Sequence, residues 1–323
     1  FMDDCLADTL RELRGAARAA DPATPVGIEG TQMPSAWGGY DLWKLSRALD
    51  WVEPYDIAGA RAAWGSFMRG KPILATFGER DPAAVSRRMW HLLLEGDCGA
   101  ILWWSEDLLE GSGAALRLSA KGRALAPVVR EMQAPLARLL LRAERVYDPV
   151  AVHYSQASIQ LAWLFESFED GATWPRRFSS YEATHSRHAA LRTELLQALR
   201  EAGWSPQFVS YDEVADGALA ARGFAACFLP DSHALSEREE AALRAFAAKP
   251  GARLLYTGEP GVFDASGTPR PDSVFPGSTQ TVAQLVAQLP PPPVRVAAPG
   301  TGVCVTRFRA DGDLLFALEQ RQR

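Results

Sequence analysis

The sequence predicts an α/β protein made of two successive series of alternating strands and helices, followed by a short β-rich tail. Four apolar strands, each followed by a helix, fall within residues 1–147, and a second alternating series falls within residues 148–289. Such alternation indicates right-handed crossovers and parallel sheets. Residues 290–323 open with four prolines and continue into strand-like runs, so we expect a stiff linker and the truncated start of a β domain.

In the first series, apolar periodicity defines the elements in turn. Residues 2–20 carry leucine and alanine at helical spacing, and Asp21-Pro22 then stops the helix. Asp81-Pro82 has the residue types of a helix cap and first turn. The predicted strands are 25–28, 51–53, 72–77 and 100–104, and the later helices are 41–49, 57–69, 81–94 and 119–142.

Two architectures compete for residues 1–147. Four strand–helix units are half of an eight-unit TIM (β/α)8 barrel, which is the favoured interpretation. The alternative is an open doubly wound sheet, which usually has a glycine-rich phosphate loop after its first strand. Only Gly27-x-x-Gly30 stands at that position, and the pattern G-x-G-x-x-G occurs nowhere in the chain.

The second series has the size of a flavodoxin-like domain, an architecture shared with class I glutamine amidotransferases. Those enzymes need a nucleophilic cysteine on a strand-to-helix elbow, whereas Cys227 lies inside an apolar strand and His233 has no identifiable partner. We therefore expect a non-catalytic domain that makes oligomer contacts. The predicted strands are 150–154, 207–211, 223–229 and 252–256, the helices are 181–202 and 236–248, and the tail strands are 294–296, 302–308 and 313–318.

Composition and charge exclude several classes of function. The chain has 323 residues and a net charge of −5 with interleaved acids and bases, so no basic stripe indicates nucleic-acid binding. No apolar run approaches the roughly 20 residues of a membrane span. The four cysteines lie far apart, so neither a metal site nor a cofactor is expected. Because the chain starts at Phe1, we expect a fragment of a longer protein. The cytoplasm is the favoured compartment.

A carboxylate follows each predicted strand of the first series. Because the carboxyl ends of parallel strands meet at one edge, we expect these acids on a single rim of the barrel, where they predict a polar ligand site. For each acid alone, a solvated loop position or an ion pair with Arg80 or Lys71 is the alternative. The four carboxylates are Glu29, Glu53, Glu79 and Glu106.

Aromatic and amide side chains at the same rim favour a sugar pocket. Trp37, Trp103 and Trp104 are candidates for stacking on sugar faces, and Gln32 and Tyr55 are candidate partners for sugar hydroxyls. Strand alternation sends adjacent side chains to opposite faces, so one residue of the Trp103–Trp104 pair is expected in the core.

Five segments of the chain match a known family in order and spacing. They are 18–26 (RAADPATPV), 49–52 (LDWV), 71–74 (KPIL), 95–104 (EGDCGAILWW) and 151–155 (AVHYS). Together they resemble the C-terminal part of the β-galactosidases of glycoside hydrolase family 42. The resemblance covers nearly the whole chain and implies barrel strands five to eight, a trimerisation domain that includes residues 224–257, and a small β tail.

The resemblance also implies a chemistry with two carboxylates acting on a β-linked glycoside. The family's acid/base glutamate would lie upstream of Phe1, and its nucleophile would end the strand at 72–77. Counting from Pro72, that position falls on Phe77, and Glu79 lies two residues further on the same face if the strand continues. Glu79 and Glu29 are therefore the catalytic candidates, the latter because glycines lie on both sides of it.

Two functions remain open at this point. The first is a β-galactosidase-like glycoside hydrolase, active in the full-length protein and inactive in this fragment, which forms a homo-oligomer, in particular a trimer. The second is a catalytically inactive carbohydrate-binding or oligomeric assembly protein on the same fold. Phe77 at the expected nucleophile position motivates the second.

Overall fold

The computed structural model describes residues 1–295 and 302–320. Its first part alternates helices and strands, with short 3-10 helices at Ser105–Leu108 and Gly113–Ala115. In chain order the elements are α1 (Met2–Ala20), β1 (Gly27–Thr31), α2 (Leu42–Ala48), β2 (Trp51–Pro54), α3 (Ala60–Phe67), β3 (Leu74–Phe77), α4 (Pro82–Glu95), β4 (Gly99–Leu102), β5 (Leu109–Glu110), β6 (Arg117–Leu118), α5 (Ala120–Met132), α6 (Pro135–Arg142) and β7 (Glu144–Arg145).

The first four strands are parallel and follow one another in chain order. β1 pairs with β2 and β3 pairs with β4, both in parallel. A single parallel bridge between Val52 and Ile73 joins the two pairs, and the Val52 N–H donates to the Pro72 carbonyl at 3.2 Å. β5 and β6 form an antiparallel hairpin. The carboxyl ends of β1–β4 therefore lie along one edge.

The second part has a parallel sheet of four strands in the order β9-β8-β10-β11. A 3-10 helix at Pro175–Arg177 follows its first helix. Its elements are β8 (Val150–Tyr154), α7 (Gln156–Asp170), α8 (Ser179–His185), α9 (Arg187–Glu201), β9 (Gln207–Ser210), α10 (Tyr211–Ala215), α11 (Ala218–Ala221), β10 (Ala226–Leu229), α12 (Glu237–Ala247), β11 (Arg253–Tyr256) and α13 (Val282–Val286).

The tail is an antiparallel hairpin of β12 (Val303–Ala310) and β13 (Asp313–Gln320). β12 also pairs with β7, so the tail completes a three-stranded sheet with a strand of the first part. The predicted strand 294–296 has no counterpart at residues 294 and 295, and Val296 lies outside the described residues.

Local signals fix several helix ends. Asp81 accepts the Ala84 N–H at the start of α4, where Pro82 occupies the first turn. Gly96 ends that helix at φ 96°, a left-handed conformation that glycine adopts without a Cβ penalty. Ser236 and Glu239 form a capping box at the start of α12, which satisfies two N–H groups at once.

One hydrophobic cluster is shared by the two parts. It contains Leu42 of α2 and Trp64 of α3 together with Val152 of β8 and Phe208 of β9. The Ser66 hydroxyl of α3 also accepts the Phe208 N–H at 2.8 Å. The helices of the first part thus cover the edge strand β9, whose backbone groups would otherwise lack partners.

Two predicted helices differ from the structure, and one observed helix was not predicted. The helical region 119–142 breaks before Pro135, because proline disfavours helical conformation in the residue before it. The helix 181–202 divides at Ser186, whose hydroxyl caps α9. Helix α7 was not predicted, because Leu164, Phe165 and Phe168 are exposed and no clean apolar stripe marks its buried face.

The four cysteines are free, with Cys5 and Cys98 exposed and Cys227 and Cys304 buried. Within the described ranges, no helix has the length and apolar character needed to cross a bilayer.

A buried ion pair fastens the tail to the second part, and it can be tested. Asp148 Oδ1 accepts from Arg307 Nη2 at 2.5 Å, and Asp148 Oδ2 accepts the Ser205 N–H at 2.7 Å. Asp148→Asn leaves the Arg307 charge buried without its partner, so we expect a loss of about 3 kcal/mol in unfolding free energy, measured by urea denaturation. Asp216→Asn, at an exposed pair with Arg238, should leave stability unchanged. Equal effects of the two changes would contradict this role.

Candidate active site

We call the residues at the carboxyl ends of β1–β4 the rim, which comprises 29–32, 53–56, 77–80 and 103–106. A β-bulge at the end of β1 sets its geometry. The pairing of β1 with β2 loses register between Ile28 and Thr31, so that Glu29 and Gly30 both face Glu53. A bulge bends its strand and leaves one N–H outside the ladder. Gly30 adopts φ 69°, which glycine tolerates best.

The Glu53 carboxylate occupies the gap that the bulge creates. Its side chain is buried at 2% exposure. Oε2 accepts the Gly30 N–H, and Oε1 accepts the Thr76 N–H at 2.8 Å. Both oxygens therefore bind main-chain donors of the neighbouring strands β1 and β3. Glu53 was expected to bind substrate, but its contacts are those of a structural group.

Glu29, Gln32 and Tyr55 come together around Gly30. Glu29 is exposed and makes no hydrogen bond or ion pair with any residue that the structure describes. Gln32 Nε2 donates to the Gly30 carbonyl at 3.1 Å. The Tyr55 hydroxyl lies 3.7 Å from the place where a Cβ of residue 30 would stand. The bulge thus carries an exposed carboxylate at Glu29, while an amide and a phenol contact the neighbouring Gly30.

The end of β3 differs from the expectation for a nucleophile. β3 ends at Phe77, whose ring is buried in a cluster with Leu92 and Trp104. Glu79 lies beyond the strand in the loop, so strand alternation does not orient it. Its side chain is 39% exposed, and Oε1 stands 4.0 Å from Arg88 Nε. Glu79 is therefore a loop carboxylate beside an arginine.

The two tryptophans that follow β4 divide as expected, one exposed and one in the core, although they lie in the turn beyond the strand. Trp103 is 74% exposed, whereas Trp104 is 1% exposed and belongs to the core. Trp104 Nε1 donates to the Glu79 carbonyl at 2.8 Å, which anchors the loop after β3. Trp104 was a candidate for sugar stacking, and its burial excludes that role. Glu106 is exposed on the 3-10 helix that follows.

Trp37 lies against the second part of the chain. It is 44% exposed, and its ring stacks on Trp163 of α7 with centroids 6.0 Å apart. The same loop is anchored at Ser35, whose carbonyl accepts from Gln156 Nε2 at 2.8 Å. Sequence reasoning placed Trp37 at the rim and did not identify this partner, because the aromatic residues of α7 lie more than a hundred positions away.

An ion network lies behind the rim. Asp56 Oδ2 accepts from Arg88 Nη1 at 3.0 Å and stands 3.8 Å from His91 Nε2, while His91 Nδ1 stands 2.6 Å from Glu319 of β13. Burial opposes protonation of His91, but the hydrogen bonds to Asp56 and Glu319 outweigh it and raise its pKa to about 9. His91 is thus a cation at neutral pH that ties α4 to the tail. Across residues 1–295 and 302–320, no cluster of His, Cys, Asp and Glu is arranged to hold a metal ion.

The second part holds a buried Ser–His–Glu group. His153 Nδ1 lies 2.9 Å from Ser232 Oγ, and His153 Nε2 lies 3.1 Å from Glu239 Oε1. The order of groups is that of a nucleophilic triad, but all three side chains are buried, so the contacts clamp β8 to α12. Burial also raises the pKa of the Cys227 thiol, which makes it a poor nucleophile.

Comparisons with known proteins add an independent finding. No family model and no curated protein sequence matches the chain. Solved structures do match. A GH42 exo-carrageenase from Bacteroides ovatus aligns with a TM-score of 0.63 and 12% identity, over 89% of this chain and 43% of that one. A β-galactosidase from the psychrophilic Marinomonas ef1 aligns with a TM-score of 0.58 and 11% identity, over 89% of this chain and 46% of that one.

A β-galactosidase from Rahnella sp. R3 gives a TM-score of 0.55 and 17% identity, over 94% of this chain and 43% of that one. The fold is that of part of a glycoside hydrolase family 42 enzyme. This GH42-like chain spans less than half the length of each of these three proteins. At such low identity, the likeness establishes the fold alone.

The charge on His91 predicts a pH-dependent contribution to stability. The pKa of His91 in the folded protein is about 9, above its ordinary value of 6.5. The stabilisation is therefore complete below pH 6.5 and disappears as the pH rises through about 9. His91→Gln should therefore lower the urea midpoint strongly near about pH 6 and little near about pH 10. The same loss at both pH values would show that the ring acts by packing alone.

Proposed function

We propose that the chain forms the C-terminal half of a TIM (β/α)8 barrel in residues 1–147, a flavodoxin-like domain in residues 148–289, and the start of a β domain in residues 290–323. Four parallel strand–helix units in chain order support the first assignment. The order β9-β8-β10-β11 supports the second, because flavodoxin-like sheets run 2-1-3-4 from the same starting strand.

We propose that the whole protein is a glycoside hydrolase, β-galactosidase-like, which cleaves a β-linked glycoside. The observation that carries this is the exposed, unpaired Glu29 on the bulge, with Gln32 and Tyr55 against the adjacent Gly30, on a GH42-like fold. A carboxylate, a hydroxyl and an amide around the bulge suit a polyhydroxylated ligand. Trp103 and Glu106, exposed at the end of β4, complete the proposed substrate surface.

The proposed chemistry needs two carboxyl groups, one protonated as the acid and one ionised as the base or nucleophile. In glycosidases the pair stands ~5–5.5 Å apart for retention and ~6.5–9.5 Å apart for inversion. We place the acid/base glutamate on barrel units outside this chain, and we propose Glu29 and Glu79 as the two candidates for the other catalytic carboxylate. A bond cannot be cleaved with half of a barrel, so the 323-residue chain alone should not hydrolyse glycosides.

A second candidate is a carbohydrate-binding or assembly protein that does not hydrolyse its ligand. The burial of Phe77 at the expected nucleophile position favours it, because no carboxylate ends β3. In both candidates we propose a homo-oligomer, in particular a trimer. The exposed Leu164 and Phe168 of α7 offer apolar surface for such contacts.

Hydrolysis of aryl β-galactosides by the full-length protein tests the proposal. Glu29→Gln and Glu79→Gln each remove one candidate carboxylate, and we expect at least one of the two changes to lower kcat by about 10²-fold or more. Glu110→Gln is the control, since that residue is exposed on β5 and pairs with Arg117.

Unchanged turnover in both variants would show that the catalytic assignment is wrong. Robust hydrolysis by the 323-residue chain alone would overturn the half-barrel assignment. A full-length protein that binds galactosides without cleaving them would establish the second candidate.

A further inference from the structure

Arg177 lies between two tryptophan rings that come from different parts of the chain. Its guanidinium carbon is 4.2 Å from the centre of the Trp37 ring and 4.8 Å from that of Trp174. Trp37 in turn stacks on Trp163, and Trp174 meets the edge of Phe178 with centroids 6.2 Å apart. We call these five residues the aromatic stack.

Among the described residues, none is a counterion for the positive charge of Arg177. Its neighbour Arg176 is buried and pairs with Glu166, Asp170 and Glu182 at 2.8, 2.7 and 2.7 Å. Within the part of the chain that the structure describes, no carboxylate lies within 4.0 Å of the Arg177 guanidinium nitrogens, and its buried Nε has no hydrogen-bond partner. Of the two adjacent arginines, Arg176 is paired with three carboxylates, whereas Arg177 is paired with none that the structure describes.

The surroundings hold this charge in place. A cation over an aromatic face gains about 0.5–1 kcal/mol at an exposed site, and Arg177 has two such faces. The stacked side chain is already ordered, so an incoming anion causes less loss of rotamer entropy. A planar guanidinium also offers paired N–H donors that match carboxylate or sulfate oxygens. The stack is therefore preorganised for an anion.

The aromatic stack also exposes apolar surface beside the charge. Trp174 is 64% exposed, and Trp37 and Phe178 are also exposed. The C–H face of a sugar ring suits such a π surface. The loop that carries Trp37 begins at Gln32, which contacts the bulge beside Glu29. The stack thus continues the rim toward the second part of the chain.

We propose that the aromatic stack binds an anionic saccharide, whose carboxylate or sulfate group pairs with Arg177 while a sugar ring lies on Trp174. The inference rests on the proposed function and deepens it by naming the class of sugar. Aromatic and arginine side chains also concentrate at protein interfaces. A second copy of the chain on this surface is therefore an outcome that the test must separate.

Calorimetric titration of the 323-residue chain tests the proposal with three probes of equal length. They are a sulfated galactan tetrasaccharide, a tetragalacturonate and a neutral galactotetraose. We expect at least one anionic probe to bind about tenfold or more tighter than the neutral one, because bonds to charged groups exceed neutral ones. Of the sulfated and the carboxylated probe, the one that binds more tightly identifies the anionic group that Arg177 recognises. Equal affinities for all three probes would overturn the proposal.

Variants separate the charge from the rings. Arg177→Gln should abolish the preference for the anionic probe, and Arg177→Lys should restore only part of it, because lysine lacks the planar fork. Trp174→Ala should weaken all probes that bind. Arg187→Gln, which removes an exposed arginine paired with Glu169, is the matched control and should change affinity less than about twofold. Circular dichroism confirms that each variant is folded.

Two further measurements distinguish the inference from its alternatives. If Arg177→Gln lowers the mass of an assembly in light scattering and leaves sugar affinity unchanged, the stack is an interface and the proposal is overturned. Hydrolysis of a neutral aryl β-galactoside by the full-length wild type is measured separately. If the full-length protein hydrolyses the glycoside but the chain binds anionic and neutral probes equally, this inference alone is overturned. If the chain prefers an anionic probe but the full-length protein does not hydrolyse the glycoside, the proposed activity is overturned and the binding site is supported.

Discussion

The rim depends on one buried carboxylate. Glu53 on β2 accepts the N–H of Gly30 from β1 and the N–H of Thr76 from β3. The ladder between β2 and β3 is a single bridge, so this side chain supplies much of the bonding that keeps three strands side by side. It also satisfies the N–H that the bulge releases, which a buried backbone group requires. The exposure of Glu29 follows from that bulge.

The structure divides four similar carboxylates into different roles. Glu53 has both oxygens occupied by main-chain donors and is not free for proton transfer. Glu29 and Glu106 are exposed, and Glu79 lies beside Arg88 on a loop anchored by Trp104. With Phe77 in the core, the chemistry proposed for the whole protein depends on carboxylates from loops and bulges rather than from the end of β3.

Sequence reasoning reached the fold because most signals are local. Helix α1 was predicted at its observed bounds, since leucine spacing and Asp21-Pro22 define both its face and its end. The site could be predicted only in part. Glu29 is exposed on a β-bulge, whereas Glu53 is buried beside it. In the sequence, only the glycine at position 30 indicates the bulge. Helix α7 and the contact of Trp37 with Trp163 depend on packing between distant segments, which periodicity does not contain.

Amide hydrogen exchange on Glu53→Gln tests the central claim most directly. A glutamine offers one acceptor where the carboxylate offers two, so we predict that the Gly30 and Thr76 amides lose protection together and that stability falls by about 2 kcal/mol. The amides of β8–β11 and those of a Glu29→Gln control should keep their protection. Unchanged exchange at Gly30 and Thr76 in Glu53→Gln, with unchanged stability, would contradict the account.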